Sequence, residues 1–242
     1  MKNCICLHLH YQNLWPMFWG YLKDLNDENT DIIVTLNNPN TEYYNDIKQK
    51  TNEVFVIENK GMDFGPFLYV LDRIKKENYN TVTKLHGKAK GGLELQKNKK
   101  FVDCNEWMNL LITPLVGSKS IYNKLTTMFE ADRSVFYAGG ELLYRVEDYN
   151  HRCSVECWKE FSELNNILEI PSLEETEFFA GSMFTASKNY LDLFFKNKEL
   201  DIYRKMNFEY RTTSTLAHAL ERYVGGYVNY YNGKIICIKN NK

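Results

Sequence analysis

The chain has 242 residues, of which 44% are hydrophobic and 25% are charged, and its formal net charge is −1. This is an ordinary globular composition, with enough length for one large core or two small lobes. The balanced charge argues against a broad electrostatic attraction to nucleic acid, so we expect no nucleic-acid partner. The longest apolar run is far shorter than the ~18 residues that a membrane-spanning helix needs, and no signal peptide is recognisable.

An apolar segment and the cysteines bear on where the protein is located. The segment Leu14–Leu22 is rich in aromatic residues, and it predicts a helix packed on a sheet, with contact to a membrane surface as the alternative. The cysteines lack the spacing of a zinc site, and we interpret them as reduced structural residues. They are Cys4, Cys6, Cys104, Cys153, Cys157 and Cys237. We therefore expect a cytoplasmic protein, or one in peripheral contact with the membrane.

Strands and helices alternate in the first third of the chain. Apolar runs predict strands over residues 3–10, 31–36, 53–57 and 81–85. Helical spacing predicts helices over residues 14–26, 41–50 and 67–77. This order predicts an α/β fold with a mostly parallel sheet and right-handed crossovers. Ligands of such sheets bind beyond the carboxyl ends of the strands, so the segments that follow three of these strands should form a nucleotide-type pocket. They are residues 10–12, 59–65 and 84–88.

The rest of the chain is predicted in less detail. Residues 89–103 form a Lys- and Gly-rich connection, either solvated surface or a lid over the site. Further elements are a helix over 105–129 that Pro114 kinks or divides, strands over 134–138 and 178–186, helices over 155–167 and 213–223, and a hairpin over 227–238. No interdomain linker is visible. We expect a single domain over 1–242, with a donor half 1–100 and an acceptor half 101–242; one module of a larger protein is the alternative.

The loop Asn59–Gly65 has the composition of a ligand-binding turn. Gly61 and Gly65 frame Asp63, and glycines let a backbone approach a ligand closely. The Asp63 carboxylate can accept a hydrogen bond from a ribose or sugar hydroxyl. The alternative is an Asx turn or a cap for the helix that begins near residue 64.

Basic residues alternate at the end of the fourth predicted strand. Lys84, His86 and Lys88 would share one face, since side chains two residues apart on a strand point the same way. Positive charge beside a departing diphosphate would lower the barrier to its release. The alternative is a strand end that simply reaches solvent.

The predicted helix near the carboxyl end carries further polar residues. His218, Glu221 and Arg222 are spaced so that their side chains can meet, either as catalytic residues or as a structural cluster. Glu209 and the run 174–177 supply carboxylates that are candidate general bases or surface residues. Glu175 and Glu177 could also bind a metal. The chain has no GxxxxGK[ST], GxSxG or HExxH motif and no Asp-x-Asp pair.

Six segments occur together in one order along most of the chain: LHLHYQNLW, ENKGMDFGPFL, VTKLHGK, EWMNLL, FFAGSMF and LAHALER. In this combination the chain resembles the rhamnan synthesis protein F family of glycosyltransferases. The resemblance implies a variant of the GT-A nucleotide-sugar fold. It also implies transfer of a deoxyhexose, L-rhamnose above all, from a UDP- or dTDP-sugar to a saccharide acceptor, with inversion of the anomeric centre.

The resemblance also implies roles for individual residues. Donor-binding residues would be His10, the loop residues Asn59, Gly61, Asp63 and Gly65, and the basic residues Lys84, His86 and Lys88. Acceptor-binding residues would be Trp107, Gly181, Ser182, Met183 and Arg222. Since the basic residues stand where GT-A enzymes carry Asp-x-Asp, our hypothesis is that they replace the divalent cation. We therefore favour a metal-independent reaction, with Mn²⁺ or Mg²⁺ as the alternative.

Two departures from the family pattern concern the acceptor side. Thr213 and Ser214 stand where the pattern has an acidic residue and a glycine, so the base would be Glu209, His218 or Glu221. Met108, after Trp107, stands where a basic residue is expected. These departures motivate an alternative function, a non-catalytic saccharide- or nucleotide-binding module of a larger synthase.

Overall fold

The computed structural model describes residues 1–39, 41–89, 91–95, 99–148, 156–208 and 214–239. The strands are β1 Lys2–Leu9, β2 Thr30–Leu36, β3 Glu53–Val56, β4 Tyr79–His86, β5 Gly92–Glu94, β6 Phe101–Asp103, β7 Val135–Gly140, β8 Tyr144–Asp148, β9 Glu175–Phe179, β10 Phe184–Ser187 and β11 Lys234–Ile238. The helices are α1 Trp15–Leu22, α2 Tyr44–Lys50, α3 Phe64–Arg73, α4 Cys104–Val116, α5 Lys119–Ala131, α6 Trp158–Leu168, α7 Lys188–Phe195, α8 Glu199–Lys205 and α9 Leu216–Tyr230. None of these helices is both long enough and apolar enough to cross a bilayer.

Seven strands form the central sheet, in the order β11-β7-β10-β4-β1-β2-β3. Strands β1 to β4 are parallel to their neighbours in this group, and β11 is parallel to β7. Strand β10 is inserted between β4 and β7 and is antiparallel to both. The predicted α/β class and mostly parallel sheet are confirmed, and the architecture is consistent with the GT-A-like fold that the resemblance implies.

Helices cover both faces of this sheet. Cys4 and Cys6 of β1 face a core that includes α3, α7 and α9, whereas Ile5 and Leu7 face a core that includes α1, α4 and α5. This arrangement explains why residues 4–7 of β1 are an unbroken apolar run, since a strand buried on both faces needs no polar alternation. The described cysteines are free thiols, and Cys153 lies outside the described residues.

One predicted strand and the predicted hairpin are wrong. Residues 178–186 do not form one strand, because Gly181 (φ +105°) and Ser182 (φ +61°) adopt left-handed conformations that break the chain between β9 and β10. The hairpin over 227–238 does not form either. Residues 227–230 still belong to α9, and the turn at Asn232 leads into β11, which pairs in parallel with β7.

The predicted long helix is divided at a different residue than expected, and part of the predicted connection forms strands. Pro114 lies within α4, and the break falls at Gly117, after which the Ser118 hydroxyl accepts a hydrogen bond from the Ile121 N–H and caps α5. The connection 89–103 contains the short antiparallel pair β5–β6. Helices α7 and α8 were not predicted from the sequence.

Candidate functional site

A cavity of about 420 Å³ opens at the carboxyl ends of the parallel strands. The three segments predicted to converge there, which follow β1, β3 and β4, do meet around it. The residues lining it are His8, His10, Tyr11, Asn59, Met62, Asp63, His86, Gly87, Lys88, Ala89 and Phe208.

A buried ion pair forms one wall of this cavity. Asp63 precedes α3, but its side chain makes no capping hydrogen bond, so the helix cap considered as the alternative does not form. The carboxylate Oδ2 instead accepts a hydrogen bond from Nζ of Lys84, which is only 1% exposed. Lys84 also donates to the carbonyl oxygen of Ser182 at 2.8 Å, and its Nζ lies 4.4 Å from the centre of the Phe64 ring.

The protonation states of this pair follow from its surroundings. Burial by itself would raise the pKa of Asp63, but the neighbouring Lys84, His86 and Lys88 bring that pKa well below its usual range. Burial lowers the pKa of Lys84, and the Asp63 carboxylate opposes that lowering. Lys84 and Asp63 are therefore assigned as a carboxylate–ammonium pair. The charge of Lys84 is therefore balanced within the protein, and the Lys84 side chain does not line the cavity.

Two histidines lie side by side in the cavity wall, because His8 of β1 and His86 of β4 are directly paired in the sheet. His8 Nδ1 is 3.0 Å from Oγ1 of Thr35, and burial lowers the pKa of His8 to about 3. His86 Nδ1 is 3.6 Å from Asp63 Oδ2 and has no hydrogen-bond partner among the described residues. Burial also holds the pKa of His86 well below its usual value. Both rings are therefore neutral at pH 7.

Lys88 brings a positive charge to the cavity. It follows β4 and lines the cavity, with Nζ 4.3 Å from the centre of the Trp107 ring. The predicted basic cluster is thus divided: Lys84 is paired below the surface, His86 is neutral, and Lys88 is charged. His10 lies at the rim, where its Nδ1 is 3.0 Å from Oδ1 of Asn37.

The loop glycines shape the backbone beside the cavity. Gly61 has φ +69°, and its N–H donates to the carbonyl oxygen of Asn207 at 2.9 Å. A Cβ on Gly65 would overlap the carbonyl oxygen of Lys60. Neither glycine lines the cavity, whereas Asn59 does. The two glycines therefore act on the loop conformation, and ligand contact by Asn59 and Asp63 remains a prediction.

Glu221 holds the turn between β9 and β10. Its Oε1 accepts hydrogen bonds from the Gly181 N–H at 2.7 Å and from the Ser182 hydroxyl at 2.9 Å. Met183 is buried in the core together with Leu111 of α4. None of these residues lines the cavity. Their predicted catalytic and acceptor-binding roles remain predictions.

Arg222 and His218 are also held by protein groups. Arg222 Nε donates to Oε2 of Glu147 at 2.8 Å, and both side chains are buried. Burial by itself would lower the pKa of Arg222, but Glu221 and Glu147 raise it. Nδ1 of His218 is 2.7 Å from Oγ1 of Thr215, and burial lowers the pKa of the half-buried imidazole. If Arg222 binds the acceptor, its guanidinium must contact the acceptor while it remains paired with Glu147.

The remaining carboxylates are placed as follows. Glu209 and Thr213 lie outside the described residues. Glu177 accepts hydrogen bonds from Tyr144 and, at 3.0 Å, from Asn229. Within the described ranges, no group of three or more His, Cys, Asp and Glu side chains is arranged to hold a metal ion.

Several residues that line the cavity were not singled out from the sequence, among them His8, Met62 and Phe208. His8 could have been found, because the strand predicted over residues 3–10 places it on the same face as His10. Met62 stands inside the loop motif but was not singled out. Phe208 belongs to no motif and reaches the cavity through a tertiary contact, with the Nζ of Lys60 5.4 Å from its ring centre.

These features define an α/β protein with a pocket at the carboxyl ends of its parallel strands, lined by charged, polar and apolar side chains. The chain belongs to the rhamnan synthesis protein F family, whose model matches residues 1–233. Two curated relatives, both called "Uncharacterized protein WxcX", come from Xanthomonas campestris pv. campestris strains B100 and ATCC 33913. Each is 28% identical over 193 residues, which is 77% of this chain and 25% of the relative. The chain thus spans about a quarter of the length of these relatives. No solved structure gave a significant match.

Proposed function

We propose that this chain is a glycosyltransferase domain that moves L-rhamnose from a UDP- or dTDP-sugar to a saccharide hydroxyl, with inversion. The observation that carries the proposal is the cavity in which Lys88, His86 and Asp63 meet at the carboxyl ends of parallel strands. Family membership supports a link to polysaccharide synthesis. The size of the curated relatives supports a role as one module of a longer protein.

In the proposed donor complex, the diphosphate lies against Lys88 and His86. The Lys88 ammonium attracts the anion, and the neutral His86 ring lines the cavity beside it. A sugar or ribose hydroxyl donates to the Asp63 carboxylate, with Asn59 beside it. The cavity volume of about 420 Å³ lies within the ~300–1,000 Å³ that is usual for small-molecule sites.

For the acceptor side we propose His218 as the general base. Its lowered pKa keeps the imidazole neutral and able to accept a proton, while Thr215 orients the ring through Nδ1. Glu221 is a weaker candidate, because Gly181 and Ser182 already donate to it. Glu209 remains the other proposed base.

We propose that the reaction needs no metal ion, because the Lys88 ammonium lines the cavity and can offset the diphosphate charge there. A thermal-shift series with UDP, dTDP, GDP and their sugars tests this directly, with EDTA or Mn²⁺ added. The proposal expects a shift by UDP or dTDP species that EDTA leaves unchanged. A shift that requires Mn²⁺ would overturn the metal-independent mechanism and retain the transferase.

Lys88→Ala provides the matched test of the diphosphate site. It should reduce nucleotide binding by about tenfold or more, since it removes a charge-assisted contact. Lys119→Ala is the control, because the Lys119 ammonium pairs with Asp27 at 2.8 Å near the amino end of β2, far from the cavity in the fold. Equal binding by both variants and the unsubstituted chain would refute the assignment.

One observation favours a second candidate function, a non-catalytic saccharide- or nucleotide-binding module. The Glu221 carboxylate is engaged by the protein itself, and Thr213-Ser214 lack the acidic residue of the family pattern. Nucleotide-sugar binding without turnover over a broad panel of saccharide acceptors would favour this function. Release of nucleotide with formation of a new glycoside would exclude it.

A further inference from the structure

The turn between β9 and β10 has an unusual backbone that a distant helix supports. Gly181 and Ser182 both have positive φ, and serine adopts that conformation only with difficulty. Glu221 of α9 accepts hydrogen bonds from both residues through the single oxygen Oε1. Glu221 is in turn flanked by Arg222, whose Nη1 is 3.5 Å from Oε2. This support fixes where the Ser182 carbonyl points.

The Ser182 carbonyl is a contact of the buried ion pair. It accepts a hydrogen bond from Lys84 Nζ at 2.8 Å, and the same Nζ donates to Asp63 Oδ2. His86 Nδ1 also lies nearest to Oδ2, at 3.6 Å. Among the described residues no hydrogen bond reaches Oδ1 of Asp63, which leaves that oxygen for a ligand in the cavity. The contacts thus run without interruption from α9 to the cavity wall.

We infer that Glu221 is a positioning residue, which orients the Asp63 carboxylate for the donor by holding Ser182 and, through it, Lys84. This inference rests on the proposed function in one respect, that Asp63 receives a donor hydroxyl. It differs from a general-base role, because Glu221 then acts on donor binding and takes no proton from the acceptor.

The hydrogen bonds that Glu221 accepts hold the direction of the Ser182 carbonyl. Without an acceptor at Glu221, the Gly181 N–H and Ser182 hydroxyl lose their partner, and the left-handed turn loses the contacts that compensate its strain. A shifted Ser182 carbonyl would release Lys84, whose other acceptor is Asp63. The carboxylate would then turn with the ammonium, and Oδ1 would leave its place in the cavity wall.

Two substitutions at Glu221 separate the two roles. Glu221→Gln keeps an oxygen acceptor but is far too weak a base, whereas Glu221→Ala removes both properties. If Glu221 is a positioning residue, the alanine variant raises the Kd for dTDP- and UDP-sugars about tenfold, and the glutamine variant stays close to the unsubstituted chain. If it is a general base, the glutamine variant loses roughly 10²–10⁴-fold in kcat with unchanged Kd, and the inference is overturned.

A second readout needs no donor at all. The ¹³C shift of the Asp63 side-chain carboxyl should change in Glu221→Ala and not in Glu221→Gln, if the contacts transmit the orientation. An unchanged shift in the alanine variant would overturn the inference even if nucleotides bind. Conversely, failure of every nucleotide to bind would refute the proposed function and leave this result to decide the positioning role.

Ser182→Gly covers the case in which Glu221→Ala does not fold. This substitution removes the hydroxyl that donates to Glu221 and keeps the carbonyl that accepts from Lys84. Glycine also adopts a positive φ without strain. We expect a smaller rise in Kd than for a displaced carbonyl, about two- to threefold. A rise in Kd of about tenfold or more would show that the hydroxyl matters for another reason and would contradict the inferred route.

Discussion

The substitution Lys84→Met breaks the buried ion pair while keeping a long unbranched side chain. Lys84 is 1% exposed, so methionine can occupy its place among the surrounding aromatic rings. What is lost is the ammonium, which donates to Asp63 and to the Ser182 carbonyl. The Asp63 carboxylate then remains below the surface without its main counter-charge.

The cost can be worked out from burial and charge. Removing one partner of a buried pair typically costs about 3–5 kcal/mol, because the other charge stays uncompensated. The Asp63 side chain is 14% exposed and borders the cavity, so water can hydrate it in part, and we expect the lower end of that range. We therefore expect a loss of about 3 kcal/mol, a large part of the ~5–15 kcal/mol that stabilises a typical domain.

The double variant Lys84→Met/Asp63→Asn should recover most of this loss, because no charge is then left unpaired. Urea unfolding at pH 7 of the four proteins in this cycle measures the coupling. The pH dependence has a defined sign as well. Since the folded state lowers the pKa of Asp63, its stabilisation is complete above the ordinary pKa of about 3.9 and is lost as the pH falls below it.

The acid-side loss of stability should accordingly be smaller in Lys84→Met than in the unsubstituted chain. A single variant that loses less than about 1 kcal/mol would refute the reasoning. A double variant that is no more stable than Lys84→Met would also refute it. Either result would mean that Asp63 and Lys84 are not held as an ion pair in solution.

Further outcomes are expected for substitutions of His8 and of three glycines. Because the pKa of His8 is lowered to about 3, the free energy of unfolding should fall as the pH drops from about 6.5 towards 3. His8→Gln should reduce that dependence by up to ~1.4 kcal/mol per pH unit, as measured by urea unfolding over this pH range. Gly225→Ala should lower Tm, because a Cβ would overlap a backbone carbonyl of β9. Gly20→Ala is the matched control: a Cβ there meets no neighbouring atom, so it should stabilise the folded protein by up to about 1 kcal/mol. Gly65→Ala should abolish nucleotide-induced thermal shifts, since its Cβ would displace the Lys60 carbonyl, and an unchanged shift would contradict that role of the loop.

The order of the first four strands was predictable because each is a separate apolar run with one helix between it and the next. Their placement then followed from the rules for parallel sheets, which is why residues 10–12, 59–65 and 84–88 were correctly expected to meet. The segment 178–186 failed for a local reason. Its aromatic residues favour a strand, but Gly181 and Ser182 turn the chain from one sheet into another.

The electrostatics of the site could not be read from the sequence. Lys84 and Lys88 look equivalent in the motif, yet one is paired with Asp63 and the other lies over Trp107. That difference depends on which side chains are buried together, and burial is a property of the fold. Phe208 reaches the cavity from a segment with no motif, and Glu209, next to it, lies outside the described residues.

The insertion of β10 between β4 and β7 has a consequence for synthesis on the ribosome. Lys84 and the Ser182 carbonyl that holds it are 98 residues apart in the chain. Since a ribosome adds about 5–20 residues per second, roughly 5–20 s pass between the synthesis of Lys84 and that of Ser182. During that time β4 has an open edge and an ammonium without its second acceptor, so the nascent first third of the chain is where chaperone binding and aggregation should be sought.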